Sequence, residues 1–465
     1  MTLSLHPLEI VPIVIYLILL LYLGIRYGSR QKNLDDFVLG NRMLTLPAFI
    51  ATLVTTWYGG ILGVGEFTYL YGLSNWIVFG LPYYLFAILF AFFMAPKIRS
   101  SNLISIPDQF YKNYGKTSGY IGTIFTFFMT MPAAYVLMLG LLIQIISGWS
   151  LWICIIIGAL FSMIYVLIGG FRAVVKTDKL QFIMMFGGFF ILFLTLFTKY
   201  GGFEFLKTNL PQNHLTLHGG NSWQYILVWF FIASWTFIDP GFHQRCYAAK
   251  TPETARKGIL WSVLFWFLFD FLTTSTGLYA RVLLTDIKPA LSYPILSHQI
   301  LPPLFSWLFL TGLLATIMST VDSLSHLSAI TIGYDFFSKL KPDSKKTVGY
   351  IKLGLVITAI ISVLFAIAIP SVVQIWYILG TLFIPPILLP LIACYYPKIQ
   401  LARRWIVLNL ILSFLVSFCF MLLSLLQSVS LTEINYFLNI QPMYPGFFVS
   451  ALIFTIGLIK KKILL

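Results

Sequence analysis

The sequence predicts an all-α polytopic membrane protein, and three observations carry that prediction. Of its 465 residues, 59% are hydrophobic and only 10% are charged, whereas soluble domains carry about 25% charged residues. Apolar runs recur along the whole chain, most of them close to the roughly 20 residues a helix needs to cross a bilayer. Lys and Arg gather at alternate ends of those runs, the asymmetry left by membrane insertion.

Taken in order, the runs lie at 8–26, 43–72, 75–96, 119–147, 151–169, 180–199, 222–244, 258–282, 300–337, 348–369, 372–396, 403–427 and 444–459. That is about 13 spans at the length a bilayer sets. The first has no basic segment before it and no small-residue cleavage site behind it, so it is expected to act as its own insertion signal. The second and ninth are too long for straight spans and contain polar residues, so both are expected to be broken or extended. Gly169 and Gly170 close the fifth and read as a helix end. The stretches between runs, about 200–221, 283–299, 338–347 and 428–443, are too short for a soluble catalytic or output domain.

Orientation follows from charge. The formal net charge is +15, which in a soluble protein would point to nucleic acid. Here 26 of the 30 basic residues sort to one side, beginning with Arg26, Arg30, Lys32 and Arg42 and including Arg245, Lys250 and Lys460 to Lys462. The positive-inside rule makes that side cytoplasmic, with the N-terminus outside and the C-terminus inside, in a bacterial inner membrane. Cys154, Cys246, Cys394 and Cys419 form no CxxC pair and read as small core residues. The six His show no ligand spacing, so no transition metal is expected.

Polar residues at membrane depth are few. Glu66, Asp239, Asp270 and Asp322 lie within apolar runs, where an Asp costs roughly 2.5–3.5 kcal/mol. Each needs a partner, a cavity or an interface; Asp270 reads as a structural polar clamp. Ala51 to Glu66 (ATLVTTWYGGILGVGE) is rich in Thr and Gly, which suits either close helix packing or an unwound backbone with exposed carbonyls. In Trp235 to Arg245 (WTFIDPGFHQR), Pro240 and Gly241 break a helix with Asp239 at the break. That acid could cap the next turn or face a substrate amine or hydroxyl. In Leu313 to Ser323 (LLATIMSTVDS), Thr316, Ser319, Thr320 and Ser323 recur at spacings of three and four and share one helix face. A hydroxyl stripe has no use against lipid, and neutral oxygens in a membrane suit a small hard cation. The competing reading is back-bonding of each hydroxyl to the carbonyl four residues earlier.

Three blocks resemble the sodium:solute symporter family. Gly169 to Phe182 (GGFRAVVKTDKLQF) is similar to its GG-x-x-AV-x-x-TD signature, Gln244 to Gly258 (QRCYAAKTPETARKG) to its QR-x-x-AAK loop, and Leu313 to Ser323 to its MST-x-DS helix. The resemblance covers nearly the whole chain. It implies a five-plus-five inverted-repeat core of the leucine-transporter type, with repeats at 43–199 and 222–396. The segment 1–42, the extracytoplasmic loop 200–221 and the two helices of 397–465 would then lie outside the core. It implies a sodium site built from the Ser319 and Thr320 hydroxyls, the Thr316 carbonyl, and the carbonyls of Leu53 and Thr56. Asp178 matches an acid associated with ion release on the cytoplasmic side. The chain departs from the family where Glu66 replaces a common glycine, and where Ile238-Asp239 stands in place of the Asn-Gln of sugar carriers.

The expected function is sodium-coupled symport of a small organic solute of the sugar, amino acid, carboxylate or vitamin class. Sodium is the coupling ion, and no cofactor and no nucleic acid partner are expected. Unwound segments at the bilayer midplane place the solute, with Thr55, Tyr58, Glu66, Trp235, Asp239 and Gln374 as candidate lining residues; Asp239 favours an amine or several hydroxyls over a simple carboxylate. The first rival is a proton-coupled carrier of the same fold using Glu66 or Asp239. A second is a membrane-embedded transferase, which would present a His or paired-carboxylate constellation that the sequence lacks. The solute and the oligomeric state are left open.

Overall fold

The computed structural model describes residues 7–28, 33–342, 345–428 and 434–463. Arg30 and Lys32, counted above in the first basic cluster, lie outside the described residues. Among the described residues, twelve helical segments are long and apolar enough to cross a membrane. The expectation of about 13 spans is reached because one segment serves as two. Leu151–Tyr200 runs for 50 residues with Gly170 at φ 51°, ψ −164°. A straight helix of that length would measure about 75 Å, against about 30 Å of hydrocarbon.

Burial separates centre from rim. In their most apolar stretches Leu46–Tyr71 is 89% buried, Ile106–Ser147 and Pro303–Ser338 are 78% and Val372–Cys394 is 72%; Ile10–Tyr27 is 17% and both C-terminal helices are 33%. The rim helices turn Ile15, Ile18, Tyr22, Leu364 and Phe448 outward, as expected of side chains that meet lipid. Cys419, read from sequence as a core residue, is exposed on one of these rim helices.

The central helices are interrupted where the sequence is rich in glycine or proline. Leu46–Trp57 gives way to a single 3₁₀ turn, Tyr58–Gly60, before Ile61–Tyr71 resumes the α-helix. Five spans later, Trp223–Ile232 passes through the 3₁₀ turn Ala233–Phe237 and restarts at Pro240–Ala248. There Asp239 is the N-cap, accepting from the Phe242 amide at 2.9 Å, while Pro240 occupies the first turn, where its missing N–H costs nothing. The long ninth run continues from Pro303–Ile330 into a π-helical turn, Thr331–Ser338. Two backbone hydrogen bonds, Leu44 N to Ala248 O and Lys250 N to Leu44 O, both 3.0 Å, tie the start of the first broken helix to the end of the second.

Helix contacts in a membrane draw on close approach rather than apolar burial, because lipid is as apolar as a side chain. One of the two tightest approaches bears on function. A Cβ at Gly59 would stand 1.9 Å from Thr320 Oγ1, so only glycine lets the first broken helix reach the Pro303–Ile330 helix at this level.

Candidate functional site

Where those two helices meet, the hydroxyl stripe turns inward. Thr316, Ser319, Thr320 and Ser323 are all buried. Thr320 donates across the contact to the Thr56 carbonyl at 2.6 Å. That carbonyl sits at the end of Leu46–Trp57, where the 3₁₀ turn interrupts the α-helical ladder and releases acceptors. Ser319 donates to Asp178 Oδ1 at 2.6 Å, and Thr52 donates to the other oxygen of the same carboxylate. Ser323 and Thr56 share a hydroxyl contact of 3.0 Å. Thr316 back-bonds to the Gly312 carbonyl at 2.7 Å, so the competing reading holds for that hydroxyl and fails for Ser319 and Thr320.

Two charges complete the cluster, and both look like loop residues in the sequence. Asp178 is fully buried in the second arm of the 50-residue helix. Arg245, counted above among cytoplasmic loop cations, is also fully buried, and this corrects that assignment. Its Nη2 donates to Thr52 Oγ1 at 3.1 Å and to Thr56 Oγ1 and Ser323 Oγ at 2.8 Å. The guanidinium lies 5.9 Å from the centre of the Phe171 ring. Thr52 therefore links the two charges, accepting from Arg245 and donating to Asp178. Burying an ion is costly unless it is paired and hydrogen-bonded; here hydroxyls from two helices meet that need.

The donor set is all oxygen: serine and threonine hydroxyls, a backbone carbonyl and one carboxylate. Oxygen donors suit a hard cation. Among the described residues no group of three His, Cys, Asp or Glu could hold a metal ion.

A cavity of about 150 Å³ adjoins the cluster; Thr56 and Thr320 belong to both, and Leu53 lines the cavity. Nine aromatic side chains line it, among them Trp57, Tyr58, Tyr83, Trp235 and Trp376, and among the described residues its only charged ones are Asp239 and Asp270. Asp239 is held on both oxygens, by the Phe242 amide and by Trp235 Nε1, each at 2.9 Å. Asp270 accepts from the Tyr84 hydroxyl, and the Tyr58 hydroxyl beside it donates to the Trp266 carbonyl at 2.9 Å.

Tyr58, Trp235 and Asp239, expected to line a solute site, do line this cavity. Thr55, Glu66 and Gln374 do not, and helix geometry explains each. Thr55 is rotated about 100° from Thr56, and its hydroxyl returns to the Ala51 carbonyl at 2.8 Å. Glu66 and Gln374 each lie two positions from a lining residue, Val64 and Trp376, and so point away from it. Asp270, read from sequence as a clamp, has a clamp partner in Tyr84 and lines the cavity as well. Its apolar neighbours in sequence gave no sign of this, because Tyr84 is 186 residues away.

The sodium:solute symporter family profile matches residues 37–399. The sodium/pantothenate symporter of Haemophilus influenzae is 26% identical over 400 residues, covering 79% of this chain and 80% of that one. The sodium/proline symporter of Staphylococcus aureus is 26% identical over 487 residues, covering 97% and 92%. The human high affinity choline transporter 1 is 31% identical over 199 residues, 40% of this chain and 34% of that one. Among solved structures, the substrate-bound outward-open state of a Na⁺-coupled sialic acid symporter superposes with a TM-score of 0.79 at 17% identity, covering 98% of both chains. The inward-facing conformation of Mhp1 superposes at 0.56 with 12% identity, covering 93% and 95%. The two interrupted helices five spans apart are those of the leucine-transporter fold that these structures share. With a profile match that spans most of the chain, the protein belongs to the sodium:solute symporter family.

Proposed function

We propose that this symporter binds sodium between the first broken helix and the Pro303–Ile330 helix, and that binding there drives uptake of a small organic solute held in the adjoining cavity. The ion's ligands would be the Ser319 and Thr320 hydroxyls and the carbonyls of Leu53, Thr56 and Thr316. Asp178 supplies charge beside them and, on the way to the cytoplasm, a station for release. The observation that carries this reading is the 2.6 Å contact of Thr320 Oγ1 with the Thr56 carbonyl. It brings an α-helical hydroxyl and a freed carbonyl from two separate parts of the chain to the distance at which both can face one cation.

Residues 43–199 and 222–396 would form the two inverted repeats, and the ion would bridge them. The N-terminus would lie outside and the C-terminus in the cytoplasm of a bacterial inner membrane, a reading supported by the distribution of basic residues. Alternating access then follows from the ion favouring the arrangement in which the two helices touch. The driving force is adequate: one cation crossing about 100 mV gains about 2.3 kcal/mol, enough for roughly a fortyfold solute gradient at about 1.4 kcal/mol per factor of ten.

The test is uptake into proteoliposomes with sodium, potassium or proton gradients imposed separately. Sodium-driven accumulation is expected. Uptake that ignores sodium and collapses with the pH gradient would overturn the coupling and favour a proton-driven carrier.

A further inference from the structure

We infer that the solute is an organic cation, an ammonium head of roughly choline size, held by an aromatic cage with Asp270 as its counter-ion. This rests on the proposal that the cavity is the solute site.

The lining supports a cation in three ways. First, aromatic faces carry negative charge at their centres and attract ammonium groups within about 6 Å, most strongly when the site is dry. Trp57 packs edge-on against Tyr83 with centroids 4.9 Å apart and against Phe242 at 5.7 Å, while Trp376 closes the other side beside Tyr135 at 6.0 Å. A Cβ at Gly60 would stand 2.4 Å from Trp376, so the backbone there yields its space to the indole.

Second, the fixed charge is of one sign. Asp239 and Asp270 are the charged lining residues, and among the described residues no Lys, Arg or His lines the cavity. The two acids are not equivalent. Asp239 is occupied as a helix cap and as the acceptor of Trp235 Nε1. Asp270 has the Tyr84 hydroxyl, and among the described residues no basic group is ion-paired with it. Arg245, the cation behind the Gly241 wall, is engaged by Thr52, Thr56 and Ser323 on the ion side. Asp270 is thus a carboxylate in an apolar cavity without a counter-ion, a condition that a bound ammonium group relieves.

Third, the donors available to an anion are neutral. Trp229 and Trp376 line the cavity with indole N–H groups that make no well-formed hydrogen bond among the described residues. They can take a hydroxyl or carbonyl oxygen of the solute but bring no charge to a carboxylate, which would also have to face two acids.

The experiment uses the purified full-length protein. Thermal shift and direct binding are measured with choline, tetramethylammonium, 3,3-dimethylbutan-1-ol (the uncharged isostere of choline), pantothenate, proline and glucose, each in sodium and in potassium. Choline is expected to bind at least tenfold more tightly than its neutral isostere. Asp270→Asn is expected to remove that difference while leaving the isostere's weak binding unchanged, and Asp270→Glu to restore part of it. Equal binding of choline and the isostere, binding of pantothenate, proline or glucose without the ammonium probes, or no binding by any ammonium probe would each overturn the proposal. Because the isostere comparison is made on the unsubstituted protein, it decides the question even if Asp270→Asn fails to fold. The underlying symport reading is scored separately by stabilisation with sodium alone: choline binding without any sodium effect would remove the symport reading and leave the cage standing.

Discussion

The hydroxyl cluster and the aromatic cavity share a wall, yet they handle polarity in opposite ways. In the cluster, every charge is met by hydroxyls from other helices: Asp178 by Ser319 and Thr52, Arg245 by Thr52, Thr56 and Ser323. In the cavity, aromatic rings dominate, and Asp270 has only tyrosine hydroxyls, Tyr84 and the neighbouring Tyr58, and among the described residues no ion-paired cation. The first region meets both of its charges within the protein, so its polar groups hold helices together. The second is left incomplete, so its polar group is available to a ligand. Buried polar groups that are fully partnered rigidify, and those that are not invite a partner.

Substitutions can break or sharpen that contrast. The largest effect is expected from Arg245→Ala, which leaves Asp178 without a nearby cation. Breaking a buried charge network costs about 3–5 kcal/mol, which should appear as a large fall in Tm with or without sodium. Next is the double variant Ser319→Ala with Thr320→Ala, which should fold but lose both sodium-dependent uptake and sodium-induced stabilisation. Survival of either would show that the cluster is structural only. Gly59→Ala is expected to weaken sodium by about tenfold, or about 1.4 kcal/mol, because its Cβ would stand 1.9 Å from Thr320 Oγ1 and push the helices apart. A sodium titration of thermal stability measures it, and an unchanged affinity would place the ion elsewhere. The smallest effect is expected from Gln374→Leu. Its Nε2 is buried with no partner among the described residues and lies off the cavity, so replacing it should change solute uptake by less than about twofold.

How much of this could be read from sequence depended on whether a feature was periodic or tertiary. The spans were legible because apolar length is a local property, and the hydroxyl stripe because spacings of three and four define a helix face. Ser319 and Thr320 were singled out on that ground, and the structure sets each against a partner from a distant segment. Arg245 was not legible. It follows the Pro240–Gly241 break and precedes Lys250, so it resembles any basic residue of a loop, and nothing local reports that the helix carries it inward. Asp178 was legible only through the family resemblance, because beside Lys176 and Lys179 it looks like a solvated loop acid. Gln374 and Glu66 failed in the opposite direction, as polar residues in apolar runs that a rotation of about 200° carries away from the cavity.

Gly170 links these questions to how the chain is made. Its backbone, at φ 51° and ψ −164°, lies beside a region essentially closed to residues with a side chain. At this one residue, a 50-residue apolar helix becomes two spans that can pass through one bilayer in opposite directions. A substitution here should therefore surface during biogenesis, as a chain inserted with the wrong topology downstream, and never reach the stage at which transport rates could be compared. Asp178 lies eight residues past this joint, so its carboxylate is delivered to the Ser319 and Thr52 hydroxyls only in chains that have already made that turn.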